Sequence, residues 1–117
     1  MKSKYRLILA AIICLASITI ITCSKGSSSM NSNPPPSKTI TMQNMSYSVV
    51  NLSVAAGTSI TWSNTDTTKH TVTADDNSFN SGDIAPGQSF TRIFSNAGSF
   101  SYHCIYHAMM KASINVN

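Results

Sequence analysis

Phe100-Ser101-Tyr102-His103-Cys104-Ile105-Tyr106-His107-Ala108-Met109-Met110-Lys111-Ala112-Ser113-Ile114-Asn115-Val116 reads as a strand, a loop rich in metal-ligand side chains, and a second strand. In the first strand, Ser99–Cys104, alternation puts Phe100, Tyr102 and Cys104 on one face and Ser101 and His103 on the other. The second strand, Ala112–Val116, alternates in the same way. Between them Cys104, His107 and Met110 are spaced Cys-x-x-His-x-x-Met, so a loop brings three donor side chains to one point at low entropic cost.

Working outward, the same period of two recurs in short segments bounded by Gly57, Gly82, Pro86-Gly87 and Gly98. Strands are predicted at Thr39–Met42, Val49–Val54, Ser59–Asn64, His70–Ala74 and Ser89–Ser95. No stretch of ten residues after Lys38 carries a helical stripe. This pattern predicts an all-β domain, a sandwich or barrel of about seven to eight strands. In the segment His70–Ala74 the side chains of His70, Val72 and Ala74 share a face, so His70 is expected to project from a strand toward the same interior end as Cys104.

Two imidazoles, one thiolate and one thioether make the ligand set of a blue-copper site, in which two His and one Cys lie in a trigonal plane with a weak axial Met. Such a set serves both Cu(I) and Cu(II), as one-electron transfer requires. Zinc is the rival, but its structural sites close with four Cys or His ligands, whereas His103 has the wrong parity here. A dinuclear copper centre needs a second nearby Cys. Singly, each residue has a plainer reading: a lone His70 is a hydrogen-bonded strand residue and a lone Met110 is core. The spacing and the upstream His70 together favour the metal site.

The chain's start points to export. Lys2, Lys4 and Arg6 precede the uncharged run Leu7–Ile21, which is short for a membrane span and fits a secretory signal. Cys23 follows in a context that resembles a lipoprotein cleavage site, with Thr22 in place of the usual small residue. Residues 1–22 are therefore expected to be a signal peptide, with Cys23 lipidated. Residues 23–37, rich in Ser, Asn and Pro, form a tether, and the folded domain spans residues 38–117. The domain is expected outside the cytoplasm, periplasmic or at the cell surface, anchored to a membrane by lipid. Cys14 leaves with the signal, so Cys104 is the one thiol of the exported domain and has no disulfide partner. Without the signal, five basic residues face four Asp, and the near-neutral balance gives no argument for nucleic acid. The chain lacks Glu and carries no nucleophile motif or phosphate loop, so an enzyme is not expected.

The stretch quoted above resembles the copper-ligand loop and last strand of the cupredoxins, particularly the plastocyanin and amicyanin group. Gly57-Thr-Ser-Ile-Thr-Trp62-Ser-Asn64 with His70-Thr-Val-Thr-Ala-Asp75 is similar to the family's first-ligand region, and Asp83-Ile-Ala-Pro-Gly87-Gln-Ser-Phe90 to the turn and strand that follow. The resemblance implies a Greek-key β-sandwich holding one copper ion through His70, Cys104, His107 and Met110. Its register selects Met110 over Met109, with Ala112 where the family has Gly. It also implies that His107 lies in an apolar surface patch with Pro86, Ala108 and Met109 through which electrons pass. The residue before the ligand Cys, His103, marks a second possible route or a solvated surface side chain. The family often has Asn after the first ligand His and Pro before the second, where this chain has Thr71 and Tyr106. Arg92 interrupts the apolar parity of Phe90 and Phe94 and is expected to reach out of the core.

The implied function is single-electron transfer between exported redox proteins such as a c-type cytochrome, an oxidase or a reductase, by a monomeric carrier. The alternative is copper buffering or delivery. Met42-x-x-Met45 could supply a thioether pair for delivery, but the two residues have opposite parity on a strand.

Overall fold

The computed structural model describes residues 33–117. The expected signal peptide, Cys14, Cys23 and most of the tether fall outside them. Eight strands run in chain order: β1 (Ser37–Gln43), β2 (Ser46–Tyr47), β3 (Asn51–Val54), β4 (Thr58–Asn64), β5 (Thr73–Ala74), β6 (Ser89–Phe94), β7 (Gly98–Cys104) and β8 (His107–Val116). They build two four-stranded mixed sheets, ordered β2-β1-β4-β6 and β3-β8-β7-β5, and no helix occurs among the described residues. The all-β sandwich expected from the sequence is therefore the fold.

Strand β4 carries the alternation most clearly. Thr58, Ile60, Trp62 and Asn64 are buried, while Ser59, Thr61 and Ser63 between them are only partly covered. Small hydroxyl residues on the outer face and bulky apolar ones inside are what a half-buried sheet selects. The core is an aromatic stack: Trp62 packs against Phe90, Phe94 and Tyr102, and Tyr102 meets Tyr47 edge-on with centroids 4.8 Å apart. Tyr102 lies two residues before Cys104 on the inner face of β7, so this packing also fixes the strand that presents the thiol. Burial raises the Tyr102 phenol to about 12, which keeps it neutral in the core.

Three features depart from the sequence reading. The expected strand His70–Ala74 does not form as one ladder. Only Thr73–Ala74 pairs with β7, and His70 makes an isolated antiparallel bridge to Ile84. The segment's polar groups are divided among partners: His70 exchanges hydrogen bonds with Ile84, Val72 with Ser81, and the Ala74 amide donates to Phe79. Neighbours on both sides bury all of residues 70–74, so the alternation is lost. Second, His107 and Met110 do not lie in a loop, because β8 starts at His107 and only Ile105 and Tyr106 form the turn. Third, Arg92 does not reach away from the core. Its guanidinium lies over the Phe79 ring, 4.7 Å from its centroid, and 5.6 Å from that of Phe94, held by cation–π attraction.

Beyond β1, the turn Asn44–Met45 has both residues at φ 54°. A two-residue hairpin favours this left-handed geometry because its twist matches that of the strands. For Met45 it is a costly conformation, roughly 1–2 kcal/mol, and something must hold it.

Candidate metal centre

The end of the sandwich where β7 turns into β8 gathers the chemistry. Cys104 closes β7 with its side chain inward, 1% exposed. It pairs with His107 across the turn, whereas the preceding His103 pairs with Lys111. The register slips between these two pairs, leaving Ala108, Met109 and Met110 as extra residues on β8. A bulge of this kind re-aims side chains: Met110 is buried at 1% exposure and Met109 stands out at 94%.

His70 arrives from the link between β4 and β5, fully buried. Its Nδ1 lies 3.2 Å from His107 Nδ1 and 3.8 Å from Cys104 Sγ, and His107 Nδ1 lies 3.6 Å from the same sulfur. These three atoms form a nearly equilateral triangle. A point in their plane lies about 2 Å from each, the length of a bond from a first-row metal to imidazole nitrogen and slightly short of one to thiolate. The donors thus fit an ion held in a trigonal plane by two nitrogens and one sulfur, without rearrangement of the backbone. The group holds three His or Cys side chains, one fewer than a closed structural zinc site.

Why the chain holds these atoms here is legible in their neighbours. Thr71, fully buried beside His70, donates its amide to Cys104 Sγ at 3.4 Å and accepts the Ile105 amide on its hydroxyl at 3.0 Å. Its carbonyl accepts the Tyr47 hydroxyl at 2.7 Å. One residue therefore ties the first-histidine segment to the thiol, the turn and the aromatic core. The Thr71 hydroxyl thus supports the turn from the position where the family often has Asn. Thr71→Val keeps the shape but leaves the Ile105 amide without this acceptor. It should cost about 1–3 kcal/mol and lower the melting temperature by roughly 5–20 °C. Thermal unfolding of the metal-free protein checks this, and an unchanged midpoint would remove the role.

Outside the triangle the residues that precede its two histidines are linked to each other. Lys69 pairs with Asp83 at 2.8 Å and sits 4.5 Å from the Tyr106 ring centroid, and the Tyr106 hydroxyl donates to Asp83. Asp83 holds the Lys69 ammonium above its ordinary pKa, and Lys69 in turn lowers that of Asp83. Tyr106, standing where the family often has Pro, is thus held by contacts instead of by a ring. Both members of the ion pair are about half exposed, so screening by water limits what it adds to stability.

Two residues were missed by the sequence reading. Asn64, fully buried, donates its side-chain amide to the Thr68 and Ile84 carbonyls, each at 2.8 Å, and its oxygen accepts the Asp66 amide. This web shapes the loop before His70. Asp66 lies 2.8 Å from His70 Nε2 and accepts from the Asn44 and Met45 amides at 2.8 and 2.9 Å. The Met45 hydrogen bond is foremost in holding the Asp66 carboxyl below its usual pKa. The Asn64-Thr65-Asp66 sequence is an Asx-turn signal that could have marked the loop, but nothing local shows that Asp66 reaches His70.

His103 points outward as its parity predicts and bonds to Asp75 at 2.6 Å. Together with Cys104, Ile105, Ala108 and Lys111 they line an open cleft. Ala108 and Pro86 are exposed.

A family profile described as a cupredoxin-like domain matches residues 11–116 of the chain. Among solved structures, a purple cupredoxin from Nitrosopumilus maritimus is 26% identical with a TM-score of 0.63, covering 68% of this chain and 98% of its own. A methionine-to-alanine variant of amicyanin in the Cu(I) form is 23% identical with a TM-score of 0.65, covering 69% and 82%. Another Cu(I) amicyanin variant reaches a TM-score of 0.66 at 23% identity, covering 74% and 88%. No curated protein sequence matches the chain.

Proposed function

The chain belongs to the cupredoxin-like family, and from that premise we propose that it is a type 1 copper protein carrying single electrons between exported redox partners. The observation that supports this most directly is the buried triangle of one thiol and two imidazoles. In this reading His70, Cys104, His107 and Met110 would hold one copper ion. Copper supplies one-electron redox chemistry. The residues around it supply a site whose donors are already in place for both oxidation states, so little rearrangement accompanies each transfer.

Electrons would enter and leave beside His107, which is partly exposed next to Ala108 and the strongly exposed Met109. Pro86 belongs to the same proposed patch. The partners would be redox proteins such as a c-type cytochrome, an oxidase or a reductase. In this reading the domain lies on the outer side of a membrane, tethered through a lipidated Cys23, and works as a monomer. Among the described residues no helix is long and apolar enough to cross a membrane.

Adding Cu(II) to the metal-free protein is the test, with an intense visible thiolate-to-copper band as the expected result. A colourless product sinks the proposal. The copper form should also melt higher than the metal-free form by mass action. Met110→Leu should shift the potential and the spectrum, while Met109→Leu leaves both nearly unchanged. If the coloured protein exchanges electrons slowly and surrenders copper rapidly to a chelator, copper delivery becomes the function instead.

A further inference from the structure

Asp66 is not itself a copper ligand in this reading, yet its carboxylate occupies the one remaining nitrogen of His70. The pair is well defined: His70 is fully buried, the Asp66 side chain is 16% exposed, and Nε2 and Oδ2 are 2.8 Å apart. An ionised carboxylate can only accept hydrogen bonds. Its three donors are His70 Nε2 and the amides of Asn44 and Met45. Nε2 must then carry the proton, which leaves the Nδ1 lone pair directed at Cys104 Sγ and His107.

We propose that Asp66 is a positioning residue for the metal: it fixes the His70 tautomer, strengthens that imidazole as a donor, and anchors the ligand to the strained Asn44–Met45 turn. This rests on the copper reading of the same site. The chemistry follows from the general behaviour of metal-bound histidines, whose second ring nitrogen commonly donates to a carboxylate or carbonyl that orients the ring and raises its basicity. A better nitrogen donor and a nearby negative charge both favour Cu(II) over Cu(I), so Asp66 lowers the reduction potential.

The link also runs the other way. Met45 is a non-glycine residue at positive φ, and the two carboxylate oxygens accept the two turn amides that this conformation directs to one point. Asp66 thereby connects a ligand of the metal to the tip of the β1–β2 hairpin, whose Met45 lies 21 residues before Asp66.

Asp66→Asn is nearly isosteric and leaves an oxygen able to accept from Nε2, while removing the charge. The Cu(II) affinity relative to Cu(I) should fall about tenfold, which raises the potential by about 59 mV. Asp66→Glu should recover part of the shift. A copper-binding, coloured Asp66→Asn protein whose potential is unchanged or lower overturns the proposal, whereas failure of the parent protein to take up copper as a coloured site would overturn the copper reading instead. A second measurement needs neither a variant nor a metal. In the metal-free parent protein, nitrogen-15 NMR should find the neutral His70 ring protonated on Nε2, and a proton on Nδ1 with Nε2 bare overturns the assignment even if Asp66→Asn does not fold.

Discussion

Cys104→Ser is expected to fold and to lose the intense visible band completely. The thiol is the softest donor in the triangle and the source of any thiolate-to-Cu(II) transition, and a serine hydroxyl is not deprotonated under ordinary conditions. Packing gives little reason for collapse. Sulfur and oxygen differ modestly in size, and the Thr71 amide that donates to Sγ at 3.4 Å can donate to a hydroxyl. Copper affinity should fall by at least about 100-fold, the upper end of what loss of an outer hydrogen-bonding partner costs a metal site, because under the proposed function a direct ligand is lost. Titration with Cu(II), followed by absorbance and by a competing chelator, reads both effects. A serine variant that stays intensely coloured would mean that the chromophore lies elsewhere, and the assignment of Cys104 would fall with it.

The parts of this site that could be read from sequence are those set by local period. Strand β7 puts Tyr102 and Cys104 inside and His103 outside because side chains alternate on a regular strand, and the structure follows that rule to the last residue. Trp62 and its neighbours on β4 obey it too. The rule fails where backbone pairing is divided. His70 lies in no continuous ladder, and its position comes from two hydrogen bonds to Ile84 and from the loop web of Asn64. Those contacts join residues 14 and 20 apart in the chain, a distance at which periodicity carries no information. The bulge on β8 fails to show for a related reason. Ala108-Met109-Met110 could continue either a loop or a strand, and only pairing with His103 and Cys104 decides the slip. The resemblance to cupredoxins selected Met110 where alternation alone could not, and the bulge leaves Met110 buried and Met109 exposed. Asp66 was beyond either signal, because its effect needs the β1–β2 turn, the loop and His70 to meet.

Trp62→Ala should be the most damaging single change to the domain. The indole is fully buried at the centre of the aromatic stack, against Phe90, Phe94 and Tyr102. Truncation removes its burial and leaves a cavity that the two sheets cannot close, a loss of about 3–5 kcal/mol. Domains have only about 5–15 kcal/mol to lose, and a disulfide-free sandwich of this size belongs near the lower end. The melting temperature should drop by roughly 15–30 °C, enough to leave much of the metal-free variant unfolded at ambient temperature. Trp62→Phe separates packing from polarity. The indole N–H makes no well-formed hydrogen bond among the described residues and at most a weak one to the Tyr102 hydroxyl, so a phenyl ring forfeits mainly area, and its cost should be well under half that of alanine. The loss would also reach the metal site, since Tyr102 rests on Trp62 and precedes Cys104 by two residues on β7. Copper that binds only the folded state should draw the alanine variant back toward its native form, by about 4 kcal/mol when free copper exceeds the dissociation constant a thousandfold. Circular dichroism with and without copper tests this coupling: a variant that melts like the parent, or one that copper does not stabilise, would detach the core from the site.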